Sequence, residues 1–120
     1  MINPFKALFG SAGEQIDVQD AARRLEAGAV MIDVREANEY AGGHAPAALH
    51  LPLSLIRAQG GAAVDALNLP GETAEILLIC QGGMRSGAAQ AVLARDTQRR
   101  YINVAGGMGA WISRGLPVSR

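Results

Sequence analysis

Two short apolar runs constrain this chain more than anything else in it. Ala29-Val30-Met31-Ile32-Asp33-Val34-Arg35 and Ala74-Glu75-Ile76-Leu77-Leu78-Ile79-Cys80 are almost continuously apolar, without the alternation of a strand that keeps one face wet. Each reads as a strand covered on both faces, and the covers are predicted between them. Val18, Ala21, Ala22 and Leu25 share one face at helical spacing, and Gly28 closes that helix. Gln15-Ile16-Asp17 before it reads as a short strand. A short helix over 36–41 stops at Gly42-Gly43, a strand over 48–51 ends at Pro52, and a helical stretch over 53–67 is interrupted by Gly60-Gly61. After a turn at Asn68-Leu69-Pro70-Gly71 and the second apolar run come a helix from Ser86 to about Ala94 and a strand over 101–104. Gly106-Gly107 then precedes a last helix over 108–114, closed by Gly115. Short buried strands alternating with helices predict an α/β fold, a small parallel sheet with helices on both faces. Such sheets bind ligands beyond the carboxyl ends of their strands, where Cys80 stands.

The chain has 120 residues, 49% hydrophobic and 18% charged, enough for one domain with one real core. The division expected is an N-terminal arm over 1–14 and a domain over 15–120. The arm carries Phe5, Leu8 and Phe9, suited to packing on the domain or a partner. Eleven basic and eleven acidic side chains cancel, and no basic cluster with interleaved aromatics occurs, which argues against a nucleic-acid partner. The pair Arg99-Arg100 reads as a solvated helix end. No apolar stretch approaches the roughly 18 residues that span a membrane, so no membrane partner is expected. One cysteine forms no intrachain disulfide, and with His44 and His50 it makes poor material for a zinc site. A reduced thiol suits the cytoplasm.

Cys80 ends its strand and opens the loop Cys80-Gln81-Gly82-Gly83-Met84-Arg85-Ser86 directly before a helix. The glycines let the backbone curl so that N–H groups point at a bound anion, and the helix N-terminus adds partial positive charge. Arg85 adds a cation whose planar fork suits two sulfonate oxygens. These features favour thiolate, and cysteines so placed have pKa values lowered from about 8.5 to roughly 3.5 to 7.5. The residues therefore point to a nucleophile.

Four blocks in this order resemble the rhodanese family: Ile32-Asp33-Val34-Arg35 with Glu39-Tyr40, Gly43-His44 through Leu51-Pro52, the loop from Cys80 to Ser86, and Gly106-Gly107 with Trp111 and Gly115-Leu116-Pro117-Val118. The resemblance extends over residues 16–118. It implies a single-domain sulfurtransferase in which Cys80 carries a sulfane sulfur as a persulfide, from a donor such as thiosulfate to cyanide or a thiol. Gln81, Gly82, Gly83, Met84, Arg85 and Ser86 would form the cradle that binds substrate. No cofactor or metal is implied, and the partners would be the small-molecule donor and acceptor, with a sulfur-relay protein as a further partner. Asp33, Arg35 and Glu39 resemble a buried polar cluster tying a strand end to the next helix. His44 resembles a turn residue with a satisfied hydrogen bond, Gly106 and Gly107 a turn near the pocket, and Trp111 a core residue; His50 is expected to be exposed. The chain departs from the family pattern at Ala45 and Ala47, where an apolar residue and a glycine are usual, and around Asp96, where a helix-ending glycine is usual.

Other functions fit less well. Phosphatases that share the fold use a cradle one residue longer than the four residues between Cys80 and Arg85 here, to admit a phosphoryl group. Noncatalytic rhodanese-like modules that bind a partner or sense sulfur often lack the cysteine that this loop retains.

Overall fold

Side chains alternate across a strand, so an unbroken apolar run must bury both of its faces. The computed structural model, which describes residues 13–120, shows how this is achieved. Strands β1 (Gln15–Ile16), β2 (Val30–Asp33), β3 (Leu49–His50), β4 (Glu75–Ile79) and β5 (Arg100–Val104) form one parallel sheet in the order β1-β5-β4-β2-β3. Six helices lie among the described residues: α1 (Val18–Glu26), α2 (Ala37–Gly42), α3 (Leu53–Gln59), α4 (Gly61–Asp65), α5 (Met84–Leu93) and α6 (Gly107–Ser113). On one face Ile32, Val34, Ile76, Leu78, Cys80 and Tyr101 pack with Ile56, Val64 and Leu93 from α3, α4 and α5. On the other, Met31, Leu77, Ile79, Ile102 and Val104 pack with Val18, Met108 and Trp111 from α1 and α6. Burying each such side chain is worth about 1.5 to 3 kcal/mol, so the central strands are held by both layers.

The same alternation aims the thiol. Ile76, Leu78 and Cys80 point one way, so Cys80 continues the face covered by α5 just beyond the end of β4. Asn103 has the parity of Tyr101 and shares that face. The α5 helix starts at Met84, two residues earlier than expected, because Gly83 (φ 107°) already turns the chain and its carbonyl accepts the Gly87 N–H at 3.1 Å.

Arg99 and Arg100 are not a helix end. Arg99 lies in the turn after α5 and pairs with Asp65 (2.6 Å) and Asp96 (2.9 Å), while Arg100 begins β5 and pairs with Glu14 and Glu75. The Asp96 departure is accommodated locally, since its carboxylate accepts the Gln98 N–H (3.1 Å) and the Tyr101 hydroxyl (2.6 Å). Phe5, Leu8 and Phe9 lie outside the described residues. Glu14, at the expected end of the arm, is docked: its carbonyl accepts the Asn103 N–H and the Gln90 side-chain amide, both at 2.9 Å. No helix among the described residues is long and apolar enough to cross a membrane.

Candidate active site

A peptide that leaves a buried strand must find partners for its polar groups at once. Beyond β4 those partners are on α6. The Met108 N–H donates to the Cys80 carbonyl at 2.8 Å and the Gly109 N–H to the Gln81 carbonyl at 3.0 Å. Gly107 (φ 55°) lets the two segments come this close, because a Cβ there would overlap the Cys80 carbonyl oxygen and lie 2.7 Å from that of Gln81. Gly106 precedes it as the cap of α6.

With the first carbonyls of the loop turned toward α6, N–H groups turn toward the sulfur. The Gly83 N–H donates to Cys80 Sγ at 3.1 Å, and the fully buried Ser86 hydroxyl lies 3.2 Å from it. Burial pushes the thiol up, but the Ser86 hydroxyl and the N–H groups of Ser86, Gly83 and Gly82 outweigh it and hold the Cys80 pKa below that of an ordinary cysteine. The start of the ten-residue α5 adds its partial positive charge. Cys80 is nevertheless only 1% exposed, so the sulfur is held in place rather than displayed.

A buried ion pair braces this arrangement from β2. Arg35 Nε donates to both Asp33 oxygens (3.0 and 3.1 Å), and one terminal nitrogen donates to Asp33 at 2.9 Å and to the Gly43 carbonyl at 2.7 Å. Arg35 thereby ties the end of β2 to the end of α2, and its other terminal nitrogen reaches Gln81 Oε1 at 3.4 Å. His44 Nδ1 bonds the Tyr40 carbonyl at 2.7 Å and its ring stacks on Tyr40 at 3.8 Å. His50 is half-buried rather than exposed, because its Nε2 bonds the Arg35 carbonyl at 2.8 Å and its ring lies 4.8 Å from Tyr40. Trp111 is buried, with its indole N–H donated to the Pro117 carbonyl at 2.8 Å.

The structure thus gathers Gly82, Gly83 and Ser86 around the sulfur and turns the other loop side chains elsewhere. Gln81 faces Arg35, and Met84 is 88% exposed. Arg85 is not a free cation. Its two terminal nitrogens donate to the two oxygens of Glu39 at 2.7 and 3.0 Å, which corrects the placement of Glu39 in the Asp33–Arg35 cluster. The Arg85 hydrogen bonds bring the Glu39 carboxyl down to about 2, helped by the Glu36 N–H.

Sequence reasoning missed Asn103. Its Oδ1 lies 2.5 Å from the Ser86 hydroxyl and its Nδ2 donates to the Gly83 carbonyl at 3.1 Å, so it holds two of the groups that hold Cys80. The signal was present as a lone amide inside an apolar strand, because a buried amide needs partners.

No cluster of three or more metal-ligating side chains occurs among the described residues. Comparison with known proteins agrees with the geometry. A "Sulfurtransferase" of Allochromatium vinosum is 31% identical over 87% of this chain and 92% of its own length. An HTH-type transcriptional regulator of Mycobacterium tuberculosis is 35% identical over 92% of this chain, which spans only 47% of that protein. The crystal structure of a rhodanese-related protein from Thermoplasma volcanium superposes with a TM-score of 0.73 at 27% identity, covering 88% of this chain and 97% of that one. The family described as Rhodanese-like domain matches residues 17–114, nearly the whole of the sheet and its helices. The chain belongs to the rhodanese-like family.

Proposed function

We propose that this chain is a sulfurtransferase that carries sulfane sulfur on Cys80 as a persulfide and passes it to a thiophilic acceptor. The observation that supports this best is the ring of donors from Gly82, Gly83 and Ser86 around a single buried sulfur. The Cys80 thiolate attacks the outer sulfur of the donor, the new S–S bond forms as the old bond to that sulfur breaks, and the donor's remaining fragment leaves with the electron pair. From thiosulfate that fragment is sulfite; from a persulfide it is a thiolate. Neither departure needs a proton first, so the loop needs donors for negative charge rather than a general acid. The chain holds no second cysteine, so an external acceptor, cyanide or a thiol, takes the outer sulfur and regenerates the thiolate in ping-pong fashion. A thiol on a partner protein satisfies the same chemistry and would make the chain a relay component, in a reducing compartment such as the cytoplasm.

Intact-mass measurement after incubation with a sulfane donor tests the reading. One added sulfur on the native chain, removed by cyanide and absent from folded Cys80→Ser, is the expected result. A native chain that takes up no sulfur from either thiosulfate or a persulfide would leave a noncatalytic binding module.

A further inference from the structure

Within the loop from Cys80 to Ser86 the only basic side chain is Arg85. Both of its terminal nitrogens are engaged by Glu39, oxygen for nitrogen, at 2.7 and 3.0 Å. Glu39 is itself fixed, because the oxygen that meets Arg85 at 2.7 Å also accepts the Glu36 N–H at 3.0 Å, at the first turn of α2. Swinging Glu39 away to free Arg85 would uncap that helix. Glu39 is the main cause of the raised Arg85 pKa, with weaker pulls from the Cys80 and Glu36 charges. Arg35, the other cation that reaches the loop among the described residues, is neutralised by Asp33. Among the described residues, the charged side chains around the cradle therefore sum to no net positive charge, and what holds a bound sulfur there is the backbone N–H groups and the Ser86 hydroxyl.

That arrangement discriminates between donors. Thiosulfate brings two negative charges and loses a sulfite dianion, so it must displace Glu39 from Arg85 or sit beside its carboxylate. A persulfide brings at most one negative charge, R–S–S⁻ against R–S–SH, and that charge or proton stays on the outer sulfur as it moves to the enzyme. Its outer sulfur joins Cys80 Sγ, its inner sulfur leaves as R–S⁻ with the bonding pair, and no second anionic group needs a cation. We propose that Glu39 sets donor choice, turning the site away from thiosulfate and toward persulfides of low net charge; this rests on the sulfurtransferase reading above.

The test uses the full chain and two donors, thiosulfate and cysteine persulfide, and reads the second-order rate at which Cys80 gains one sulfur by intact mass. Glu39→Gln keeps an acceptor for the Glu36 N–H and removes the charge. The wild-type chain is expected to load faster from the persulfide, and Glu39→Gln to raise the ratio of thiosulfate to persulfide rates about tenfold, the size expected for one screened charge beside a dianion. A ratio unchanged within about twofold, with both donors loading, overturns the inference and leaves the sulfurtransferase reading standing. Failure of both donors on the wild type overturns both. Ionic strength gives an independent reading, because the Cys80 thiolate itself repels an anionic donor and only the part of the salt dependence that Glu39 adds bears on the inference. Thiosulfate loading that rises with salt more steeply in the wild type than in Glu39→Gln supports a repulsive carboxylate; equal slopes in the two overturn it.

Discussion

The Ser86 hydroxyl stands 2.5 Å from Asn103 Oδ1 and 3.2 Å from Cys80 Sγ, and it has one proton for the two acceptors. With Cys80 as a thiol, that proton satisfies the buried Asn103 oxygen. Once the thiolate forms, the charged sulfur competes for it, and Asn103 still anchors the loop through the Gly83 carbonyl at 3.1 Å. Asn103 and Ser86 therefore act on the sulfur as a unit.

Removing the hydroxyl raises the thiol pKa, because the Ser86 hydroxyl is the largest of the contributions that lower it. A hydrogen bond to a charged group is among the stronger ones, so Ser86→Ala is expected to raise the Cys80 pKa. The alkaline shift follows from the sign: less thiolate is present at any pH below the new value, and the rising limb of sulfur loading moves to higher pH. Alkylation rate against pH, compared between wild type and Ser86→Ala, measures it. Coincident profiles would show that the hydroxyl serves Asn103 alone.

Asp33 is fully buried and Arg35 nearly so. Breaking such a pair by removing one member strands the other's charge and costs about 3 to 5 kcal/mol. Asp33→Ala should lose that much in chemical denaturation, whereas Asp33→Ala/Arg35→Leu should recover part of it by removing the stranded charge as well. Thiolate formation on the folded fraction should change little, since neither residue contacts the sulfur. A single variant that loses less than about 1 kcal/mol would show that water reaches the guanidinium.

The readable parts of this fold were those fixed by local rules. Ile76 to Ile79 had to be a doubly covered strand because nothing polar interrupts it, and the Gly82-Gly83 pair had to bend the chain inward. The start of α5 was misplaced because sequence alone does not show that Gly83 already has the left-handed conformation of a cap. Glu39 was assigned to the wrong partner because its bond to Arg85 spans 46 residues and depends on how α2 sits over the loop. A carboxylate with two cations in reach, Arg35 and Arg85, takes the one that has no closer partner. Asp33 already held Arg35.

Ala47 occupies left-handed backbone at φ 68°, at the position where related sequences were expected to carry glycine. For a residue with a Cβ that conformation costs roughly 1 to 2 kcal/mol, and about 0.4 to 1 of it returns as the lower unfolded-state entropy of alanine. Ala47→Gly is therefore expected to stabilise the domain by about 0.5 to 1 kcal/mol, a rise of a few degrees in Tm for a domain of this size. A lower Tm would show that the Ala47 methyl gains more from the neighbouring Trp111, Leu116 and Pro117, with which it lines a small groove, than its backbone loses.

Gly107 and Gly115 form a matched pair for measuring the close approach beneath Cys80. Both have positive φ, 55° and 70°, so alanine at either site meets the same left-handed penalty of roughly 1 to 2 kcal/mol. Only at Gly107 does the new Cβ also meet the Cys80 and Gln81 carbonyls, whereas at Gly115 nothing lies within 4 Å. Relieving that overlap means moving α6 off the loop and weakening the Met108 and Gly109 bonds at 2.8 and 3.0 Å. Each bond is worth about 0.5 to 1.5 kcal/mol, so Gly107→Ala should lose about 1 to 3 kcal/mol more than Gly115→Ala in chemical denaturation. Its Cys80 pKa should also rise, because the freed carbonyls no longer hold the loop N–H groups toward the sulfur, while that of Gly115→Ala stays at the native value. Equal losses in the two variants, with unchanged thiol titration in both, would show that α6 packs against the loop without positioning it.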